Sequence, residues 1–138
     1  MRYGDWERKL ALLQPVFDRV RYVHGRIADA GAMQVPVTDL DAQNVHDFRR
    51  LWTCAMAGFL SNSDAGDRLY FAPELLPNHF DVDGATVYSA YARQTAGTDG
   101  VVDDDSDRWL QGLLLTRIGA ECFDAAGAGL VPGAAQSR

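Results

Sequence analysis

The run R-V-R-Y-V-H-G-R-I at residues 19–27 limits what this 138-residue chain can fold into more than any other stretch. Strand side chains point alternately to opposite faces, so Val20, Tyr22, His24 and Arg26 share one face and Val23, Gly25 and Ile27 the other. Apolar residues stand on both faces, the pattern of a strand in a parallel sheet covered by helices. Such sheets keep their chemistry at the C-terminal strand ends, where His24 and Arg26 lie. A second run, D-R-L-Y-F-A-P-E-L at 67–75, repeats the plan: residues 69–72 predict a strand, and Glu74 follows just behind Pro73.

Helical spacing surrounds these two strands. Trp6, Leu10 and Leu13 fall at i, i+4 and i+7 of a helix over 5–14, with Asp5 as its N-cap and Pro15 as its stop. Gly31 and Pro36 mark 28–41 as irregular. A long helix then carries Val45, Phe48, Trp52, Ala55 and Phe59, with Thr38, Asp39 or Asp41 as its cap and S-N-S-D-A-G at 61–66 as its end. Residues 76–103 hold Phe80, Tyr88 and Tyr91 without a clean period and predict a long loop with at most one short helical turn. The last helix starts near Asp105 or Ser106, with Trp109, Leu110, Leu113, Leu114, Ile118 and Cys122 on its apolar face. The Gly/Ala/Pro-rich stretch 126–138 is expected to be a disordered tail behind a single domain at 1–125. The fold class is α/β, in the order α-β-α-β-α, with two parallel strands joined by a right-handed crossover.

Composition excludes several function classes. Nineteen acidic against 13 basic residues repel a phosphate backbone, so nucleic acid is not the expected partner. No apolar run approaches the roughly 20 residues needed to span a bilayer, and the N-terminus has no apolar signal core, which predicts a cytoplasmic protein without a membrane partner. Cys54 and Cys122 stand 68 positions apart on apolar helix faces and predict buried free thiols rather than a disulfide or a zinc site.

The chemistry-bearing residues gather at the strand ends. A neutral imidazole at His24 can ligate a divalent metal, and the Arg26 guanidinium can hold a substrate oxygen or phosphate. Against this stands a plain structural ion pair around a hydrogen-bonded strand histidine. Glu74, at the end of an adjacent parallel strand, can meet His24 over one pocket, and such a mixed N/O pair suits Mn, Co, Mg or Zn. The acidic run 103–107 and D-V-D-G at 81–84 lack the ligand spacing of a calcium loop; the first reads as the cap of the last helix and the second as a plain turn.

V-H-G-R-I followed by G-A-M-Q-V-P, then F-R-R-L-W, F-A-P-E-L-L-P, Y-A-R-Q and S-D-R-W-L-Q-G-L-L-L-T-R, resembles the C-terminal third of a sugar phosphate isomerase/epimerase of the xylose isomerase-like TIM-barrel superfamily, over about residues 6–123. The resemblance implies a partial (β/α)8 TIM barrel. His24 would be a metal ligand at the end of strand seven, and Glu74 a ligand and proton carrier at the end of strand eight. Arg26 and Gln34 would face substrate, a sugar or sugar phosphate. Three departures qualify the match. Two strands stand where a closed barrel has eight over about 250 residues; the earlier glutamate and aspartate ligands have no counterpart; and Ala30 stands where the best-known epimerases carry a substrate arginine. The chain alone is therefore expected to be inactive, to bind a divalent metal weakly or not at all, and to self-associate or pair with the missing barrel half. The alternatives are a non-catalytic interaction module derived from the barrel and an AP endonuclease-like metallo-hydrolase, the latter disfavoured by the acidic balance.

Overall fold

The computed structural model describes residues 4–77, 79–88, 94–99, 102–104 and 107–130. Its organising unit is a parallel pair: β1 (Tyr22–Gly25) and β2 (Tyr70–Pro73) pair in the register Tyr22↔Tyr70, Val23↔Phe71, His24↔Ala72 and Gly25↔Pro73. Before β1 come α1 (Trp6–Leu12) and α2 (Gln14–Phe17); between the strands lies α3 (Gln43–Ser61), and α4 (Arg108–Leu130) ends the described chain. The α/β class and the parallel neighbours are as the sequence predicts, and no closed barrel is present among the described residues.

Among the described residues, helices cover only one face of the pair, which corrects the expectation drawn from apolar residues on both. Val23 and Ile27 point into a core with Val45, Trp52 and Met56 of α3 and Leu115, Ile118, Cys122 and Ala126 of α4. On the other face Tyr22 is 51% and Tyr70 60% exposed. A tyrosine ring counts as apolar in a pattern, yet it tolerates a wet surface because its hydroxyl needs a polar partner.

Phe71 of β2, itself half-buried, packs against this core at the point where strands and helices meet. A Cβ added at Gly25 would lie 2.3 Å from its ring, and one at Gly119 of α4 would lie 2.9 Å from it. The ring meets Trp52 of α3 edge-on, at 5.2 Å between centroids and 81° between planes. Glycine on both sides thus lets one aromatic ring join strand to strand and sheet to both helices.

Several boundaries differ from the sequence expectation. Asp5 does cap α1, its carboxylate accepting from the Arg8 amide at 3.0 Å, but Pro15 stops nothing: it occupies the first turn of α2, where its missing N–H costs no bond. None of Thr38, Asp39 or Asp41 caps α3; its N-cap is Ala42, and Asp39 instead accepts from the Asp41 amide in a turn of its own. The region expected to be a loop holds two antiparallel hairpins. In the first, β3 (His79–Val82) pairs with β4 (Ala85–Tyr88) across Asp83 and Gly84, both at positive φ (52° and 80°); in the second, β5 (Gln94–Ala96) pairs with β6 (Val102–Asp104). D-G between alternating residues is a two-residue hairpin turn, so D-V-D-G is more than a plain turn.

The last helix departs in two ways. Its buried stripe is Leu115, Ile118, Cys122 and Ala126, whereas Trp109, Leu110 and Leu113 stand outside it, the first of them 76% exposed. It also runs five residues past the expected domain end at 125, since Ala126 is buried against the core and Gly127 comes within about van der Waals reach of Leu60. Gly127 and Gly129 weaken an isolated helix, yet α4 runs through them with Ala126 buried against the core, so tertiary packing overrides propensity. Residues 131–138 of the expected tail lie outside the described residues. Asp107 accepts from the Leu110 amide at 3.0 Å at the start of α4, the capping role expected of the acidic run, of which Asp105 and Ser106 lie outside the described residues. No described helix is long and apolar enough to cross a membrane.

Two glycine substitutions should move stability in opposite directions. A Cβ at Gly58 of α3 would stand 2.4 Å from the Phe17 carbonyl oxygen, so Gly58→Ala has to push α2 off α3 and is expected to cost about 1–3 kcal/mol. At Gly127 the nearest atom is 4.0 Å away, and Gly127→Ala should gain about 0.5–1 kcal/mol from reduced backbone entropy. Urea unfolding curves compare the two directly.

Candidate functional site

Parallel pairing puts both strand C-termini at one end of the sheet. Since Gly25 pairs with Pro73, the next residues, Arg26 and Glu74, emerge side by side, and the Glu74 amide donates to the Gly25 carbonyl at 3.1 Å to extend the ladder. Alternation aims His24 and Arg26 to one side. The Glu74 carboxylate joins them: its Oε2 lies 2.8 Å from His24 Nδ1, and its Oε1 accepts from the Arg26 guanidinium.

Burial grades across the trio. The side chains of Arg26, Glu74 and His24 are 17%, 34% and 63% exposed, so the cation is the inner member and the imidazole the outer. Arg26 Nε is buried with no hydrogen-bond partner among the described residues. The Tyr22 ring lies 4.9 Å from the His24 ring and stacks at 6.5 Å on Tyr70, directly opposite in the register. Tyr70 was missed as a site residue, although aligning R-Y-V-H with L-Y-F-A places the two tyrosines at equivalent positions.

Gln34 does not join this group. It is buried, with its Nε2 donating to the Leu76 carbonyl at 3.2 Å and its Oε1 accepting from the Leu76 amide at 2.7 Å. Both ends of the amide are thus engaged by the Leu76 backbone. Gln111 repeats the arrangement on Val37, accepting from its amide at 2.8 Å and donating to its carbonyl at 3.1 Å. The segment between β1 and α3 is held by these two side chains and by a bond from the Val35 amide to the Ile27 carbonyl at 2.9 Å.

Chemically, the trio offers an imidazole with one engaged nitrogen and a carboxylate with both oxygens engaged. No group of three or more His, Cys, Asp and Glu side chains gathers among the described residues, and a catalytic metal wants about three protein ligands. The donor types suit a divalent cation, and His24 Nε2 is the donor that needs no existing contact broken. The two thiols stand apart from the site as free cysteines. Burial raises the pKa of both Cys54 and Cys122, which disfavours the thiolate a nucleophile requires. An apolar groove of about 440 Å³ between β2 and α4, lined in part by Pro73, Leu75, Trp109 and Leu113, lies on the helix-covered side of β2.

No protein-family model, curated protein or solved structure matches this chain.

Removing the Gln34 amide leaves the Leu76 N–H and C=O without their partner in a part-buried setting. Gln34→Ala should therefore lower stability by about 1–3 kcal/mol, and hydrogen exchange at the Leu76 amide should accelerate.

Proposed function

We propose that this chain is the C-terminal sector of a (β/α)8 barrel, the part carrying strands seven and eight of a divalent-metal-dependent isomerase or epimerase acting on a sugar or sugar phosphate. One observation carries the reading: β1 and β2 are parallel, helices cover one face, and the bare face and the C-terminal strand ends hold Tyr22, His24, Arg26 and Glu74. In a closed barrel the bare face is the interior and those ends form the mouth where catalysis takes place.

In that setting His24 would help to hold a divalent metal, whose chemistry there would be Lewis-acid polarisation of substrate oxygens. In this reading the Glu74 carboxylate would exchange a proton at the carbon next to a carbonyl, which requires that an oxygen now held by His24 or Arg26 become available. Arg26 supplies the positive charge that orients an anionic or hydroxylated substrate. Among the described residues no third ligand joins His24 and Glu74, and the chain alone is expected to turn over no sugar. The outer edges of a two-stranded sheet are open to further strands, which favours self-association or pairing with the rest of a barrel.

A second reading is an interaction module without catalysis, favoured by the full engagement of Glu74 by His24 and Arg26.

Manganese binding followed by electron paramagnetic resonance separates the two readings. The enzyme-sector reading expects weak Mn²⁺ binding by the chain that disappears in His24→Ala, and metal-dependent sugar isomerisation only when the remaining six strands are supplied. Mn²⁺ binding that is unchanged in His24→Ala, or a freely soluble monomer at high concentration by light scattering, would count against it.

A further inference from the structure

The geometry points to Glu74 as the residue that positions His24, with Arg26 anchoring Glu74, so that the imidazole Nε2 and not the carboxylate is the donor this site presents to a divalent cation. This rests on the metal reading above but departs from the expectation that His24 and Glu74 both ligate.

A carboxylate oxygen accepts hydrogen bonds and has none to donate, so a 2.8 Å contact between His24 Nδ1 and Glu74 Oε2 places the hydrogen on Nδ1. In the neutral ring, Nε2 is then left with its lone pair facing outward. The second carboxylate oxygen is held by Arg26, the most buried of the three side chains. Arg26 thus fixes Glu74 from the inside, Glu74 fixes the imidazole, and the imidazole is the exposed end of the series. The neighbouring Tyr22 ring, at 4.9 Å, adds a wall beside the His24 ring.

Direct ligation by Glu74 would have to use the second lone pair of an oxygen that already accepts from His24 or Arg26, which draws charge away from that charge-assisted hydrogen bond. Ligation through Nε2 uses neither oxygen. A histidine that binds metal through one nitrogen and donates the other N–H to a carboxylate is a recurrent arrangement, in which the carboxylate fixes ring orientation and raises ligand basicity. Toward the metal, Glu74 and Arg26 are accordingly positioning residues, and the exposed Nε2 is the coordination point that this trio presents.

The full-length chain tests this by long-range ¹H–¹⁵N NMR of the His24 ring in its neutral form. The expected spectrum has a protonated Nδ1 and a bare Nε2. In Glu74→Ala the proton should move to Nε2, the form favoured in free histidine, while backbone amide signals elsewhere hold. Glu74→Asp, which shortens the reach by one methylene, should do the same if the alanine variant does not fold. A wild-type ring with bare Nδ1, or a wild-type tautomer retained in a folded Glu74 variant, overturns the positioning role. Added Zn²⁺ should shift Nε2 and leave the Nδ1 proton and the Glu74 carboxyl carbon in place. A Zn²⁺ complex that loses the Nδ1 proton and shifts the Glu74 carboxyl overturns the proposal while upholding two-ligand binding. Zn²⁺ that shifts neither nitrogen overturns the metal reading and the donor role, with the tautomer result still deciding the positioning role.

Discussion

The structure depends on how closely Phe71 can be packed. Its ring is pressed against Gly25 across the strand pair and Gly119 across the sheet–helix interface, and meets the Trp52 ring edge-on. A side chain larger than hydrogen at either glycine would occupy the space of the ring. Dispersion contacts are short-ranged, so this approach distance sets how tightly β1, β2, α3 and α4 can form one core. The position of the strand ends follows from it, and the site sits on those ends.

From the register onward the site is largely a matter of geometry. Parallel strands paired Gly25 to Pro73 deliver Arg26 and Glu74 to the same edge, while His24, one step back, shares the face of Arg26. Opposite charges at that edge do the rest. Glu74 bridges a cation and an imidazole, and the grading of exposure from Arg26 to His24 gives the trio an inner, anchoring end and an outer, presenting end. Where the backbone ladder stops, glutamine amides continue it: Gln34 on Leu76 and Gln111 on Val37 each supply the donor and acceptor that a neighbouring strand would have supplied.

The same physics explains why Gln34 reads differently in the two views. In the sequence it stands in an irregular segment near a candidate site, where a polar side chain suggests substrate contact. In the fold it is buried, and a buried amide must find partners, which the Leu76 backbone provides. Nothing local in the sequence distinguishes an amide that contacts a ligand from one that closes a loop 42 residues away.

What the sequence determined by itself is what depends on local periodicity and on pairs brought together by simple topology. Period-two alternation around His24, helical spacing through Val45, Trp52 and Phe59, the Asp5 cap and the α-β-α-β-α order of the core all follow from side-chain direction along a single element. So does the nomination of His24, Arg26 and Glu74, since two parallel strands with polar ends converge whatever the rest of the chain does. Tertiary structure alone decided which strand face is covered and which stripe of α4 is buried. It also decided how far α4 runs and what Gln34 does. Each of these turns on a partner distant in sequence: Ala126 is helical because α3 and the core lie against it, and Trp109 is exposed because no described element covers it. The hairpin at Asp83–Gly84 was legible in D-G between alternating residues. The pairing of both Glu74 oxygens was not, because hydrogen-bond geometry at that scale is set by the register and by the depth of Arg26 in the packed fold.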